Sequence, residues 1–566
     1  MFYKIKRFTM NTKIKNILLF VVLFSGSYGV FAQSDNPVIS AIQKEVDRNK
    51  SELKMEGMAP PFFISYSIVD FYNCSLSASL GSISGVNEYH FRRGVPTLLV
   101  GDYMRNNLNI VDNRNQQPAI TSLYDNASGI PITIWRDLDG SYKTAVEQYK
   151  SKMAMLQQQT QTQEEINLPD FEQVTPVNMI LEPKPLEFDK AYWEDYLRKA
   201  SETAKQYPDI LNSNVNLNVR NIMTYTYNTE GSRYAVPSTF YQLTFTANTR
   251  AGDGQELNHT IWVENATLKQ MPDVATFSNQ CKTVMENLLK LKNAPVVNEA
   301  YSGPVLFEGL AVERIFRQAF SWYNKLAASP KLTQLNANNY YGYNNNQESG
   351  GNDFELMLNK KVISRSLTVK SITGQEFYNS ERLNGYYPVD AEGVIPDKEL
   401  MLIENGVLRN MVNGRRPTKK IQHSNGHVRY DYNNNSFRVI PGNLLITSNQ
   451  TFSNEELRKK LIDAAKEEDL DYAYIVKEYD NDCKMIYKIY VSDGHEELVR
   501  DATISDDGNL KPFKRILGAS DKELMTSIGE IQTTVICPDA LLFEELDVTR
   551  MPNIEFKKPY FVPKPK

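Results

Sequence analysis

The chain has 566 residues, which is more than a single hydrophobic core usually organises, so two or three domains are expected. Its formal net charge of -5 argues against direct binding to nucleic acid, because phosphate backbones are bound by clustered Lys and Arg. The four cysteines form no CxxC pair, which argues against a zinc knuckle or a dense disulfide scaffold and leaves buried free thiols or one or two long-range disulfides open.

The first 32 residues have the three parts of a secretory signal. Five cations between Lys4 and Lys15 precede an apolar stretch over residues 17–24, and Val30-Phe31-Ala32 has the pattern of a cleavage site. Cleavage before Gln33 removes five cations and no anions, which takes the formal net charge from -5 to -10. No later segment is apolar over the ~20 residues that a membrane span needs. We therefore expect an exported protein, periplasmic or extracellular, without a membrane span.

Residues 33–156 are predicted to form an N-terminal α+β region. Ile39, Ile42 and Val46 fall on one face of a helix. Three β-rich runs follow, which indicates a helix laid on an antiparallel sheet; they cover residues 62–70, 74–83 and 92–103, the last interrupted by Gly94 and Pro96. A surface helix over residues 139–156 then leads into a Gln-rich and Pro-containing stretch. We predict a flexible linker there, over residues 157–185.

Residues 186–295 are predicted to form the second part of the N-terminal half, with helices over 190–206 and 277–291 around alternating strands near 215–226 and 239–248. Residues 296–566 are predicted to form a β-rich C-terminal domain. It opens with a strand-to-helix passage over 303–327 and a loop rich in Asn, Tyr and Gly over 336–351. Because helices and strands are mixed without a repeating βα alternation, the predicted class is α+β.

Within this C-terminal domain the local signals are strong. Asn405-Gly406 predicts a hairpin turn between strands over 400–404 and 407–412. A helix is predicted over 454–468, followed by strands over 472–477 and 485–491.

Several segments resemble, in order along nearly the whole mature chain, the TldD/PmbA (modulator of DNA gyrase) metallopeptidase-like family, and in particular its exported Bacteroidetes-type branch. The most specific run is Tyr301-Ser302-Gly303-Pro304-Val305-Leu306-Phe307-Glu308-Gly309. Others are Asn228-Thr229-Glu230-Gly231, Asp390-Ala391-Glu392-Gly393-Val394 and Leu541-Leu542-Phe543-Glu544. The resemblance implies an N-terminal α+β domain, a β-rich C-terminal domain, and assembly as a homodimer or as a heterodimer of two paralogous subunits.

In that family one subunit type carries His-Glu-x-x-x-His, in which two imidazoles bind zinc and the glutamate activates water. The corresponding run here is Phe307-Glu308-Gly309-Leu310-Ala311-Val312. Phenylalanine and valine cannot coordinate a cation, so the resemblance leaves only Glu308, at the general-base position. In the family a downstream cysteine is a further zinc ligand, but it lies further upstream of the final strand than Cys537, which immediately precedes Leu541-Leu542-Phe543. We therefore expect no metal and no cofactor in this chain, although relatives hold zinc.

The other candidate residues are few because the chain has five histidines: His90, His259, His423, His427 and His495. His423 and His427 are separated by the turn-forming Ser424-Asn425-Gly426, so the geometry of a helical zinc motif is not expected. Three roles are open for this pair: the histidines donate hydrogen bonds to a bound peptide, they lie in a solvent-exposed loop without a specific role, or they bind a metal. Arg415 and Arg416 could hold a peptide carboxylate. For Glu308 and Glu313, a structural role at a helix start competes with acid-base chemistry.

The leading hypothesis is a peptidase-like subunit that acts in peptide processing without its own zinc, as the partner of a metal-bearing paralogue. An extended peptide or unfolded polypeptide would be held by strand addition at an exposed sheet edge. One alternative is an active peptidase that uses Glu308 with an atypical metal site. The other is a non-enzymatic periplasmic peptide-binding or scaffold protein.

Overall fold

The structure is a computed structural model and describes residues 36–110, 120–121, 129–322, 325–333, 353–480, 483–504, 510–527 and 531–551. The predicted signal over residues 1–32 and the predicted loop over 336–351 lie outside the described residues. Helices and mostly antiparallel strands are mixed, which confirms the α+β class with a strand-rich C-terminal region. No helix in the described part of the chain is long and apolar enough to cross a membrane.

The N-terminal half begins with two helices packed on a sheet. Helix α1 (Pro37–Glu52) buries Ile39, Ile42 and Val46 as predicted. Three strands follow, β1 (Pro61–Ser79), β2 (Ser82–Val100) and β3 (Ile120–Thr121). Helix α2 (Gly129–Gln157) is already helical at Gly129, before the predicted start at residue 139, because Ile130 and Ile134 extend the apolar face that it buries against α1 and β2.

The predicted break between strands over 62–70 and 74–83 is wrong, because β1 runs through it without interruption. Asp70 lies opposite Arg92 in the β1–β2 register, and its carboxylate accepts a hydrogen bond from Arg92 Nε at 2.7 Å. His90 Nε2 lies 2.5 Å from the other carboxylate oxygen. Side chains of the paired strand β2 thus satisfy the Asp70 carboxylate, although aspartate is otherwise common in turns.

Gly94 does not interrupt the third predicted strand but lies inside β2. A Cβ atom at Gly94 would come within 1.9 Å of Tyr66 Oη. That hydroxyl donates a hydrogen bond to Asp137 Oδ2 at 2.6 Å. The glycine therefore marks a close approach between strand and side chain.

Residues 157–185, predicted as a linker, include helix α3 (Gln163–Asn167) and strand β4 (Asn178–Ile180) and bury Phe171. The following segment contains α4 (Lys190–Glu202), β5 (Asn212–Asn228), β6 (Arg233–Arg250), β7 (Glu256–Asn265) and α5 (Val274–Asn293). Strand β5 pairs with β1. The regions over 33–156 and 186–295 therefore share one sheet of order β3-β2-β1-β5-β6, on which β4 and β7 also pair with β6.

The C-terminal half begins at β8 (Tyr301–Glu308) and α6 (Leu310–Arg317) and contains two large sheets. The first has the order β13-β12-β9-β16-β24-β23, built from β9 (Leu367–Ser371), β12 (Leu400–Glu404), β13 (Val407–Leu408), β16 (Asn443–Ser448), β23 (Glu523–Ser527) and β24 (Thr534–Pro538). The short pairs are β10 (Phe377–Tyr378) with β11 (Glu381–Arg382), and β14 (Val428–Asp431) with β15 (Ser436–Val439).

The second sheet has the order β17-β22-β25-β8-β18-β19-β20, with β21 on β25. It contains β17 (Thr451–Phe452), β18 (Tyr472–Tyr479), β19 (Lys484–Tyr490), β20 (Glu496–Val499), β21 (Ala502–Ile504), β22 (Ile516–Ser520) and β25 (Ala540–Arg550), and helix α7 (Asn454–Glu467) packs on it. The predicted Asn405-Gly406 hairpin is confirmed, with positive φ at both residues. Helix α6 lies in the core between the two sheets.

Candidate functional site

The β8–α6 passage, residues 301–317, contains the run 307–312 that the resemblance described above aligns with a His-Glu-x-x-x-His motif. Phe307 is 1% exposed in β8. Its ring centroid lies 5.4 Å from that of Phe543 and 6.2 Å from that of Tyr479. Gly309, at φ 61°, turns the chain into α6, where Val312 is fully buried. Both positions that would carry imidazoles therefore point into the apolar core.

Glu308 lies at the end of β8 and is held by Arg458 of α7. Arg458 donates from Nε and Nη2 to the two Glu308 oxygens, each at 2.9 Å. The same guanidinium donates to Glu496 at 2.8 Å, and Lys477 donates to Glu496 at 2.6 Å. The hydrogen bond to Glu308 raises the pKa of Arg458. One guanidinium occupies both carboxylate oxygens in a bidentate pair, so the geometry favours a structural role for Glu308.

Glu313 and Cys537 are both buried, and Cys537 lies in the hydrophobic core of the C-terminal half. Glu313 is 1% exposed, burial raises its pKa, and Arg317 Nε lies 2.9 Å from its Oε1. Cys537, in β24, is fully buried, and burial together with the Glu313 charge raises its pKa well above the usual value. The thiol form is therefore favoured over the thiolate that nucleophilic attack and metal binding require.

The remaining predicted site residues lie in the loop over residues 413–428, part of which lines a cavity of about 470 Å³. They are Arg415, Arg416, His423 and His427. Segment 164–173 forms the opposite wall. Apolar lining comes from Tyr103, Leu168, Pro169, Phe171 and Pro417, and polar lining from Glu164, Asn167, Glu172, Gln173, Lys419, Gln422 and His423. A mainly apolar wall with a few polar groups is typical of a binding pocket.

Arg415 is fully buried and contacts Phe171 and Glu172, two residues that line this cavity. It donates to the Glu172 carbonyl at 2.6 and 2.9 Å and to Glu230 Oε1 at 2.6 Å. Its guanidinium also lies 4.1 Å from the Phe171 ring centroid. These contacts leave the side chain unavailable to a peptide carboxylate, and they fix the loop to segment 164–173. Arg416, next in the chain, is exposed.

The two histidines of the loop also differ in exposure, as Arg415 and Arg416 do. His423 has an 84% exposed side chain, and its Nδ1 lies 2.8 Å from Glu172 Oε1, at the cavity. His427 is fully buried, with Nε2 2.8 Å from Ser371 Oγ and Nδ1 2.8 Å from the Asn425 carbonyl. Burial lowers the pKa of His427 to about 4, so the ring is neutral near pH 7. The structure therefore brings His423, and not His427, to the pocket.

Strand β2 offers an edge to an added strand. Residues 82 and 84–90 are exposed, and Val86 and Tyr89 are 46% and 42% exposed. In the described residues the outer side of β2 pairs only at Arg92 and Arg93, with β3. The backbone of residues 82–91 is therefore placed for the predicted strand addition.

One group of side chains was missed by the sequence analysis. His259, Glu478 and Cys483 each present a potential ligand atom, and these atoms all lie within 4.8 Å of one another. His259 was considered only as an isolated histidine. No local spacing connects β7 with the β18–β19 hairpin, so only the tertiary fold reveals the group.

Comparison with known proteins agrees with this architecture. Residues 342–550 match the model of the PmbA/TldA metallopeptidase C-terminal domain. No curated protein matches the chain.

Similar solved structures include a proposed modulator of a DNA gyrase from Thermotoga maritima, with 15% identity, TM-score 0.56, 90% of this chain and 100% of that chain covered. TldE from Thermococcus kodakarensis has 14% identity, TM-score 0.53 and coverage of 90% and 99%. A proposed modulator of DNA gyrase from Bacteroides thetaiotaomicron has 11% identity, TM-score 0.54 and coverage of 90% and 98%. The chain therefore has the fold of these TldD/PmbA-type structures, and its residues 342–550 match the PmbA/TldA metallopeptidase C-terminal domain.

Proposed function

We propose that this chain is a peptide-processing subunit of the TldD/PmbA type. It binds peptide or unfolded polypeptide, supplies no zinc at the β8–α6 passage, and depends for hydrolysis on a metal-bearing paralogue. The observation that carries the proposal is the position of Phe307 and Val312, which fill the core where imidazoles would be needed. The family description as a metallopeptidase domain supports the reaction class.

The ion pair of Glu308 weighs against the alternative of an independent peptidase. A general base must have a lone pair within reach of a water molecule. Both Glu308 oxygens accept hydrogen bonds from Arg458, and the side chain is 16% exposed. Releasing the carboxylate would also disrupt the contacts among Arg458, Glu496 and Lys477.

The pocket beside the 413–428 loop supports peptide binding. Its aromatic and proline side chains suit apolar residues of a substrate, and His423 and Lys419 offer donors to peptide carbonyls. We retain exposed Arg416, together with His423, as the candidate substrate contacts. Arg415 and His427 instead support the loop from within. The proposal also includes export of the mature chain and assembly as a homodimer or a heterodimer with a paralogue.

The test is hydrolysis of fluorescently labelled casein by this chain, by a paralogue that retains His-Glu-x-x-x-His, and by the two combined. We expect cleavage only by the combination, and we expect that replacing the motif glutamate of the paralogue by glutamine removes it. Cleavage by this chain alone would contradict the proposal. Binding of casein without any cleavage by the combination would indicate a binding or scaffold protein instead.

A further inference from the structure

A second place with metal-binding chemistry lies where the two halves of the molecule meet. Strand β7, at the edge of the N-terminal sheet, carries His259, and the β18–β19 hairpin of the C-terminal half carries Glu478 and Cys483. A nitrogen, an oxygen and a sulfur atom from these side chains lie within 4.8 Å of one another. His259 and Cys483 are 4% and 3% exposed.

A β-bulge brings Glu478 to this place. The pairing of β18 with β19 shifts register between Val476 and Glu478, so that Glu478 lies opposite Met485. Val476 packs in the core of the C-terminal half. Met485 and Cys483 instead pack in the N-terminal core that helices α4 and α5 cover, so this end of the hairpin faces the N-terminal half. A bulge commonly redirects a side chain next to a functional site.

Two buried atoms of this group, one on His259 and one on Glu478, have no hydrogen-bond partner. His259 Nε2 lies 2.7 Å from Glu478 Oε2, but that buried oxygen has no hydrogen-bond partner, so the approach lacks hydrogen-bond geometry. His259 Nδ1 is also buried without a hydrogen-bond partner. Leaving a buried polar atom without a partner is unfavourable, and coordination of one of these atoms to a cation would remove part of that cost.

We propose that His259, Glu478 and Cys483 bind a divalent metal ion, with Zn²⁺ as the ion favoured by this donor set. Imidazole, carboxylate and thiolate are the three protein ligand types of zinc, whereas calcium and magnesium take oxygen ligands alone. Zinc bonds of about 2.0–2.3 Å place ligand atoms roughly 3.3–3.8 Å apart around a tetrahedral ion. The His259–Glu478 separation therefore widens by about 1 Å or less on binding.

Three protein ligands leave the fourth position of a tetrahedral ion open. Glu478 has a 29% exposed side chain, which gives this position a route to solvent. The ion would tie edge strand β7 to the β18–β19 hairpin and so connect the two halves of the molecule. The site revises the expectation of no metal in this chain, and it does not depend on the proposed function.

The test is metal binding by the full purified chain, stripped with a chelator and then titrated with ZnCl₂. We expect one tightly held ion per chain and a higher melting temperature with zinc. His259→Gln, Glu478→Gln and Cys483→Ser should each weaken zinc binding by about 100-fold or more, in line with the loss of a direct ligand. With Co²⁺ as the probe, wild type should show a thiolate-to-metal charge-transfer band that Cys483→Ser loses.

Two control variants separate the site from general effects of substitution. Cys281→Ser changes another buried thiol of the same core, and His90→Gln changes another histidine paired with a carboxylate. Both should keep the zinc stoichiometry and the cobalt band. The circular dichroism spectrum of each zinc-free variant should match that of the wild type, which shows that weaker binding is not unfolding.

Less than about a tenth of an ion per wild-type chain would overturn the proposal, as would unchanged affinity in all three ligand variants. Because the readout is metal content, its failure is distinguishable from failure of the proposed function, which is read from casein cleavage.

Discussion

The β8–α6 passage and the 413–428 loop both carry residues for which the sequence predicted chemistry, and the fold uses them differently. In the passage, Phe307 and Val312 build an apolar core and Glu308 is held in an ion pair. In the loop, Arg415 and His427 are buried among polar partners. The exposed His423 contacts the pocket. The type of a residue therefore does not show whether its side chain can reach a substrate. Its burial and its hydrogen-bond partners in the folded chain decide this.

The largest expected effect tests whether Arg415 is a structural residue of the loop. Arg415→Met leaves the Glu230 carboxylate, whose side chain is 5% exposed, without its cation. Removing one partner of a buried ion pair costs about 3–5 kcal/mol in the free energy of unfolding. Urea denaturation measures the change. The matched control is Arg416→Met, the exposed neighbour, which should change stability by less than about 0.5 kcal/mol.

A similar loss is expected in the β8–α6 passage. Phe307→Ala leaves a cavity between Phe543 and Tyr479, and such truncations cost about 3–5 kcal/mol. The control is Leu310→Ala at the start of α6, because Leu310 is 50% exposed and should cost much less. Equal effects of the two substitutions in urea denaturation would show that Phe307 is not part of the core.

His427 should make stability depend on pH. Its pKa is lowered by burial from an ordinary value near 6.5 to about 4 in the folded chain, so the unfolded chain binds the proton more readily between these values. The stabilisation that the neutral His427 ring gives the folded chain is fully present above about pH 6.5. It is lost as pH falls towards 4, where the free energy of unfolding is lower by up to roughly 3 kcal/mol. The measurement is the stability difference between wild type and His427→Gln at several pH values. A difference that does not vary with pH would contradict a neutral buried ring.

Local signals predicted much of the fold but not the long-range features. The Asn405-Gly406 hairpin and helix α1 were predictable because turn chemistry and helical periodicity act over a few residues. The continuity of β1 was not, since Asp70 is satisfied by Arg92 on the neighbouring strand. For the sites, the sequence alone showed that Phe307 and Val312 cannot act as metal ligands.

Convergence of His259, Glu478 and Cys483 was not visible in the sequence, because a β-bulge and contact between the two halves create it. Likewise, the burial of Arg415 depends on segment 164–173, which no spacing links to the loop. In both cases the decisive contacts join residues that are distant in the chain.

The most direct measurement of the central claim is casein cleavage with Glu308→Gln, which keeps the size of the side chain and removes a base. An intrinsic general base contributes about 100-fold or more to the rate. The chain alone should be inactive with or without the substitution, and the complex with its metal-bearing paralogue should keep nearly full activity when this chain carries Glu308→Gln. Zinc-dependent cleavage by this chain alone that Glu308→Gln abolishes would instead identify this chain as the enzyme.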